Sequence, residues 1–252
     1  MLAAALDTAV ANGMLVRNVA RGVELPRMPR AERLFLSAEQ LGHLSDAIEE
    51  HLRALVLVLG YGGLRWGEAA ALRRGRCDLL RRRIHVQESL SEIGSRLVFG
   101  PPKTHRVRSV TLPTFVCERL ASHLEEFVPD GADELVFTTI GGAPLRNSDF
   151  RRYYWKRAVN AAGLPPQLRP HELRHSAAAL LIANGAGPKS VQAHLGHATI
   201  TTTFDTYGHL FEGHLDEVME RLDADWRRSR AAHTRPTAPS QASGDVIEWP
   251  GR

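Results

Sequence analysis

A short segment in the last third of the chain combines residue types that bind phosphate groups. It reads Leu168-Arg169-Pro170-His171-Glu172-Leu173-Arg174-His175. Pro170 suits the first turn of a helix, where its missing amide removes no hydrogen bond. His171 and Arg174 then lie three residues apart on one helix face, near the positive end of the helix dipole. This arrangement predicts a site that holds a phosphate.

The same residues also match a zinc-hydrolase pattern, His171-Glu172-x-x-His175. Two histidines at this spacing could share a zinc ion, with Glu172 as the base. Pro170, however, places His171 at the start of a helix, whereas the zinc motif lies inside a longer helix. The glycine-and-histidine extension of the zinc motif is also missing. A zinc hydrolase therefore stays an alternative hypothesis, and we predict no metal and no cofactor.

Other residues that could act on a phosphodiester are spread along the chain: Arg65, Lys103, His197 and Tyr207. Taken singly, each has an ordinary explanation. Arg65 could pair with Glu68 on a helix surface. Lys103 could be a solvated turn residue, and His197 could be a histidine that caps a helix. Tyr207 could be a packing residue whose hydroxyl is exposed to solvent. Only their joint occurrence favours a catalytic interpretation.

Their order and context resemble the tyrosine recombinase, or phage integrase, family, over about Leu36 to Leu222. That family's signature is an arginine in Gly-x-Arg-x-x-Glu, a hairpin lysine, His-x-x-Arg, Leu-Gly-His and, shortly afterwards, a tyrosine. This chain has each element in order: Arg65 with Glu68, Lys103, His171 with Arg174, His197 after Leu195-Gly196, and Tyr207. Glu68 and His175 are interpreted as structural support around the site.

The resemblance implies a role for each cation and each proton donor. Arg65 and Arg174 would bind the non-bridging oxygens of the phosphorane transition state, and His197 would donate a further hydrogen bond. Lys103 would protonate the leaving 5′-oxygen.

Tyr207 would be the nucleophile, attacking DNA to form a 3′-phosphotyrosine, and His171 would take its proton. The implied function is site-specific recombination, meaning integration or excision, without metal or ATP. The implied partners are double-stranded DNA and further copies of the chain, as a tetramer on DNA. A DNA-binding remnant unable to recombine and a type IB topoisomerase are the alternatives.

The composition agrees with a polyanionic partner. All but three of the 32 basic residues are arginine, and the net charge is +4. The planar guanidinium group of arginine can donate two hydrogen bonds to one phosphate. The longest apolar run, 54–60, is too short to cross a bilayer. Cys77 and Cys117 lack disulfide or metal-ligand spacing, so we expect a cytoplasmic protein.

Hydrophobic periodicity predicts an α+β, mainly helical catalytic domain with one small antiparallel sheet or hairpin. Helical patterns cover Leu2–Asn12, Ala38–Glu50, Leu52–Leu59, Thr114–Phe127, Ser148–Ala162, His171–Asn184, Lys189–Leu195 and His209–Arg228. Strand patterns cover Ile84–Val86, Leu97–Phe99, Val107–Val110 and Leu135–Phe137. The first three strands are predicted to form a meander, with Pro101–Thr104 as its last turn.

Three regions follow from these patterns. Residues 1–33 resemble the last helix of a core-binding domain plus a linker, which implies an N-terminal truncation. Residues 34–228 form the catalytic domain, and 229–252 are predicted to be a disordered tail because they hold few apolar residues. The last helical pattern carries an apolar stripe: Leu215, Val218, Met219, Leu222 and Trp226. This stripe either packs on its own domain or, as the resemblance implies, docks on a neighbouring protomer.

Overall fold

A computed structural model describes residues 2–23, 33–103, 107–211 and 214–233. They fall into two units, which divide between Arg33 and Leu34. The first unit contains helix α1 (Leu2–Ala11), as predicted, and none of its residues is buried. Asp7 of α1 pairs with Arg21 of the following turns at 2.9 Å.

The second unit is mainly helical with small antiparallel sheets, which confirms the predicted fold class. Its helices are α2 (Ala38–Ala47), α3 (Glu50–Gly62), α4 (Trp66–Ala70), α5 (Thr114–Phe127), α6 (Asn147–Asp149), α7 (Lys156–Ala161), α8 (Glu172–Ala183), α9 (Pro188–Leu195), α10 (Ile200–Tyr207) and α11 (His214–His233). Its strands are β1 (Cys77–Asp78), β2 (Arg83–Val86), β3 (Ser89–Ile93), β4 (Arg96–Gly100) and β5 (Arg108–Thr111).

Helix α3 is the centre of the core. It is apolar all round because α2, α5 and α8 pack against it from different sides. The preceding helix α2 begins at a capping box, where the Ser37 hydroxyl accepts from the backbone amide of Gln40 and the Gln40 side chain accepts from the backbone amide of Ser37. At its other end α3 stops at Gly63, whose φ of 61° is left-handed. This stop turns the chain into α4, the helix that begins at Arg65.

The strands form two sheets instead of the predicted single meander. One has the order β1-β2-β5, and the other is the hairpin β3-β4. The first sheet buries Ile84 opposite Val110, so β5 must pair with β2 to place its apolar face on the core. Strand β3 was not predicted. Strands β4 and β5 therefore belong to different sheets and are not paired through a turn, which corrects the predicted turn Pro101–Thr104, whose last residue lies outside the described part.

Two further predictions need correction. Leu135–Phe137 is no strand, since Leu135 makes a single bridge to Arg73. The predicted helix Ser148–Ala162 contains a π-helical turn over Phe150–Trp155. The wider turn brings Phe150 and Trp155, five residues apart, onto the same buried face, where their ring centres lie 5.8 Å apart.

The structure also adds and extends helices near the C-terminus. Helix α10 was not predicted, because successive threonines have low helix propensity. Thr199 caps it by accepting a hydrogen bond from the Thr202 amide, and α9 packs against it. Helix α11 continues to His233, so the predicted disordered tail begins as helix, and 234–252 lie outside the described residues. None of the described helices is long and apolar enough to cross a membrane.

We expect Gly63→Ala to lower the free energy of unfolding by about 1–2 kcal/mol or more, because left-handed backbone disfavours L side chains. A Cβ at position 63 would also lie 2.6 Å from Leu195 Cδ2. Gly42→Ala is the matched control, since its Cβ would meet nothing within 4 Å inside α2, and we expect a gain of about 0.5–1 kcal/mol. Urea unfolding of both variants measures these changes in free energy. Equal effects of the two substitutions would contradict the conclusion that the left-handed backbone at position 63 disfavours a side chain.

Candidate active site

Arg65 is held at the start of α4 by Glu68. The Arg65 amide donates to Glu68 Oε2 at 2.8 Å, and its guanidinium Nη1 donates to Oε1 at 3.0 Å. The Glu68 side chain has no exposed surface, whereas that of Arg65 keeps 25% of its exposure. The predicted surface pair is therefore present, but its carboxylate is buried and fixes the direction of a partly exposed guanidinium.

Arg108 of β5 is a site residue that the sequence analysis missed. It forms a two-pronged ion pair with Glu68, Nη1 to Oε1 at 2.9 Å and Nη2 to Oε2 at 2.7 Å. Its Nε also donates to the His194 carbonyl, and its side chain lies against Gly196. A signal was available: Arg108 lies two residues from buried Val110, so both point to the inner face of the strand.

These contacts set the charge of Glu68. Burial raises its pKa, but the hydrogen bonds and charge of Arg108, followed by those of Arg65, outweigh burial and lower the pKa to about 2. The carboxylate is thus ionised at neutral pH.

Arg174 of α8 is buried, yet its ordered contacts are with backbone. Its Nη1 donates to the Gly63 carbonyl and its Nη2 to the Leu195 carbonyl at 2.7 Å. Burial, then the nearby cations Arg65 and Arg108, lower its pKa to about 9, so it remains charged at neutral pH. Three guanidinium groups around one carboxylate leave an excess of positive charge, which suits an anion such as phosphate.

Tyr207 lies at the end of α10 and is 1% exposed. Its hydroxyl is 2.8 Å from Nδ1 of His175, and the His197 ring stacks parallel to its ring at 6.2 Å. Nδ1 of His197 is 2.9 Å from the Thr203 hydroxyl. Burial, followed by Arg174, lowers the pKa of His197 to about 4, so this imidazole is neutral at pH 7.

Of the other two predicted residues, His171 has a described contact with this cluster and Lys103 has none. His171 precedes the first residue of α8 and is exposed, with its ring edge-on to His175 at 5.1 Å. His175, one helical turn further along, has its Nδ1 at the Tyr207 hydroxyl. The proton-accepting role of His171 stays a prediction. Lys103 is exposed between β4 and β5, beside residues 104–106, which are outside the described part. Among the described contacts, no hydrogen bond or ion pair joins Lys103 to the cluster.

The zinc hypothesis finds no support in this geometry. Within the described ranges, no group of three or more histidine, cysteine or carboxylate side chains is arranged to hold a metal ion. His175, one of the two proposed ligands, instead directs Nδ1 at a tyrosine hydroxyl. Cys77 and Cys117 are both free thiols.

We expect Arg108→Met to lower the free energy of unfolding by about 3–5 kcal/mol, because it leaves the buried Glu68 charge without its main partner. Arg81→Met is the control, since the exposed Arg81–Asp78 pair should contribute at most about 1 kcal/mol. The Arg108 effect should shrink as the pH falls from 4.5 towards 2, because protonated Glu68 needs no counter-charge. Urea unfolding at several pH values tests this, and a loss that does not depend on pH would contradict it.

Comparisons with known proteins assign this chain to a family. Residues 34–214 match the family model described as the phage integrase family. The integrase of Mycobacterium phage L5 is 31% identical over 204 residues, which are 79% of this chain and 54% of that protein. The putative prophage phiRv2 integrase of Mycobacterium tuberculosis is 28% identical, over 88% of this chain and 60% of that protein. This chain thus spans little more than half the length of these relatives.

Solved structures agree on the fold. The Tn1549 transposon integrase, solved with transposon right end DNA, is similar with a TM-score of 0.72 at 24% identity, covering 88% of this chain and 76% of that one. The XerA recombinase is similar with a TM-score of 0.58 at 26% identity, covering 77% and 66%. With most of its length matched by the family model, the chain belongs to the phage integrase family.

Proposed function

We propose that this chain carries out site-specific DNA recombination, cutting and rejoining strands through a 3′-phosphotyrosine on Tyr207. One observation carries the proposal: the Tyr207 hydroxyl lies 2.8 Å from Nδ1 of His175, the residue that follows the buried cation Arg174 on α8. A phosphodiester resists attack because it is an anion. Cations beside a nucleophilic hydroxyl are what an attack on phosphorus requires.

The described geometry supports a division of roles. The Arg65 side chain keeps 25% of its exposure and Arg174 is a buried cation whose charge interacts with that of Arg65, so both can stabilise charge on the non-bridging oxygens. Neutral His197 can still donate a hydrogen bond from Nε2 when the Thr203 hydroxyl donates to its Nδ1. Lys103 is proposed as the acid for the leaving 5′-oxygen. Since the phosphotyrosine conserves the energy of the broken bond, rejoining needs no ATP.

Double-stranded DNA is the proposed substrate. The similar Tn1549 integrase is seen bound to transposon DNA, and this chain carries an excess of arginine that suits phosphate. We place the reaction in the cytoplasm, where two free thiols are stable and cellular DNA is accessible.

Tyr207→Phe should abolish covalent attachment to DNA while leaving the fold and DNA affinity unchanged, because it removes only the attacking oxygen. The assay uses a nicked duplex whose short 5′-hydroxyl fragment diffuses away after cleavage, so that a denaturant-resistant adduct accumulates. Chelator in a parallel reaction should have no effect.

Four outcomes would count against this function. An adduct with the phenylalanine variant would exclude Tyr207 as nucleophile, and loss of activity with chelator would favour metal chemistry. DNA binding by the wild-type chain without any adduct would favour the DNA-binding remnant. Relaxation of supercoils without exchange between two duplexes would favour a topoisomerase.

We also propose that the chain assembles as a homo-oligomer, a tetramer, on DNA through α11. Four members of the predicted stripe have described side chains, and all are exposed by 43–58%: Val218, Met219, Leu222 and Trp226. If α11 packed on the core of its own protomer, these four side chains would be buried. An apolar stripe of this size on a helix surface favours contact with another protein surface. A second copy of the chain supplies this protein surface when several protomers bind one recombination site.

Leu222→Asp should therefore weaken higher-order complexes on DNA by at least about tenfold, since it places a charge at the centre of the stripe, and should leave the melting temperature of the free chain nearly unchanged. Ala224→Asp adds the same charge to α11 off the stripe and is the matched control. Native gels with DNA and thermal melting measure both effects. A large loss of melting temperature with a proportional loss of assembly would place the stripe in the protomer's own core.

A further inference from the structure

We infer that Thr203 is a positioning residue that sets both the ring orientation of His197 and the position of its imidazole hydrogen, an inference that rests on the function proposed above. The Thr203 hydroxyl lies 2.9 Å from Nδ1 of His197. Thr203 is on α10, one helical turn before Tyr207, and it has no exposed surface. The helix that carries the proposed nucleophile thus also contacts the residue that would donate to the phosphate.

The burial of Thr203 fixes the direction of this hydrogen bond. Within the described ranges, the Thr203 hydroxyl has no hydrogen-bond partner other than Nδ1 of His197. If Nδ1 carried the hydrogen, it would be the donor, and the hydroxyl hydrogen of Thr203 would be buried without an acceptor, at a cost in free energy. If Nδ1 is bare, the hydroxyl donates to it and this cost disappears. The imidazole hydrogen of His197 therefore belongs on Nε2.

The neutral state of His197 gives this position its importance. Burial, followed by the charges of nearby arginines, lowers the pKa of His197 to about 4. A charged imidazole would donate hydrogen bonds from both nitrogens, whatever Thr203 did. A neutral imidazole has a single N–H, so it can donate to a phosphate only from the nitrogen that carries the hydrogen. The hydrogen bond from Thr203 thus keeps His197 in the state that can donate from Nε2 at neutral pH.

The surroundings of His197 leave Nε2 available for a ligand. The backbone amide of His197 donates to the Gln192 carbonyl at 3.1 Å, which fixes the main chain after α9. Within the described part of the chain, Nε2 has no hydrogen-bond partner. His197 borders a cavity of about 320 Å³ that Arg108 and Lys189 also line. Two cations in the wall of this cavity favour an anion, so a DNA phosphate suits the remaining donor.

The position of Thr203 on α10 couples two parts of the site. Thr203 and Tyr207 lie on one face of the helix, and His197 contacts both, through the hydrogen bond to Thr203 and through stacking on the Tyr207 ring at 6.2 Å. When α10 is in this position, the nucleophile and the phosphate donor are set together. A protomer whose α10 is displaced would lose the nucleophile and the orientation of His197 at the same time.

The first test measures single-turnover adduct formation on the nicked duplex at pH 7. Thr203→Val keeps the shape of the side chain and removes the hydroxyl, so the rate should fall about 10–100-fold because a hydrogen bond to the transition state is weakened. Affinity for the same duplex should not change. Thr203→Ser keeps the hydroxyl and should restore most of the rate. Thr201→Val makes the same change at an exposed position of α10 and should keep the wild-type rate.

A double-mutant cycle separates positioning from support of the fold. If Thr203 acts only through His197, Thr203→Val should lower the rate by less than about twofold when His197 is already alanine. A loss of equal size in the wild-type and His197→Ala backgrounds would overturn the inference, because Thr203 would then act on the helix and not on the imidazole. Equal rates of Thr203→Ser and Thr203→Val would overturn it as well.

Nitrogen NMR of the DNA-free chain tests the hydrogen position without any reaction. The wild-type chain should show His197 with the hydrogen on Nε2 and with Nδ1 accepting a hydrogen bond. Thr203→Val should lose the hydrogen bond at Nδ1, whereas Tyr207→Phe should keep it, since the Thr203 hydroxyl remains. A hydrogen on Nδ1 in the wild-type chain would overturn the inference. A wild-type chain with this NMR pattern but without any adduct would instead overturn the proposed function and leave the Thr203 contact established.

Discussion

A carboxylate with no exposed surface, that of Glu68, accepts hydrogen bonds from two arginines that belong to different parts of the chain. Arg65 comes from the start of α4 and Arg108 from β5. Burying an isolated carboxylate would cost a large amount of free energy, so Glu68 requires both arginines as partners. The Glu68 carboxylate in turn orients both guanidinium groups. Through Glu68, strand β5, which follows Lys103, is joined to helix α4, which follows Arg65. The site is held by charge balance as much as by packing.

Arg174 shows how the same cluster keeps positive charge available for a ligand. Its donors bind the carbonyls of Gly63 and Leu195, which orient the guanidinium without neutralising it. Burial lowers its pKa, yet the group stays protonated at neutral pH. An oriented cation of this kind destabilises the empty site and is compensated when an anion binds. The rigid helix α3 and its left-handed end at Gly63 supply one of the two carbonyls, which links the core directly to the chemistry.

Tyr207, the proposed nucleophile, lies at the end of a helix that depends on its surroundings. Helix α10 carries three successive threonines and relies on the Thr199 cap and on contact with α9. Along the chain, Tyr207 is followed by a single 3₁₀ turn and then by α11, whose apolar stripe is exposed. A partner bound at α11 would act on the segment next to Tyr207. The proposed assembly surface and Tyr207 are therefore connected through a short piece of chain.

The sequence by itself determined those features that depend on local rules. The Ser37 cap, the start of α8 two residues after Pro170 and the order of the signature residues are local, because a capping residue or a fixed spacing acts within one or two turns. The mainly helical fold class followed from periodicity for the same reason. Only the tertiary structure decided that β5 pairs with β2, that α10 is a helix, and that Phe150–Trp155 form a π turn. It also decided that Arg108 reaches Glu68 and that His175 meets Tyr207, since those partners lie 40 and 32 residues apart and only packing brings them together.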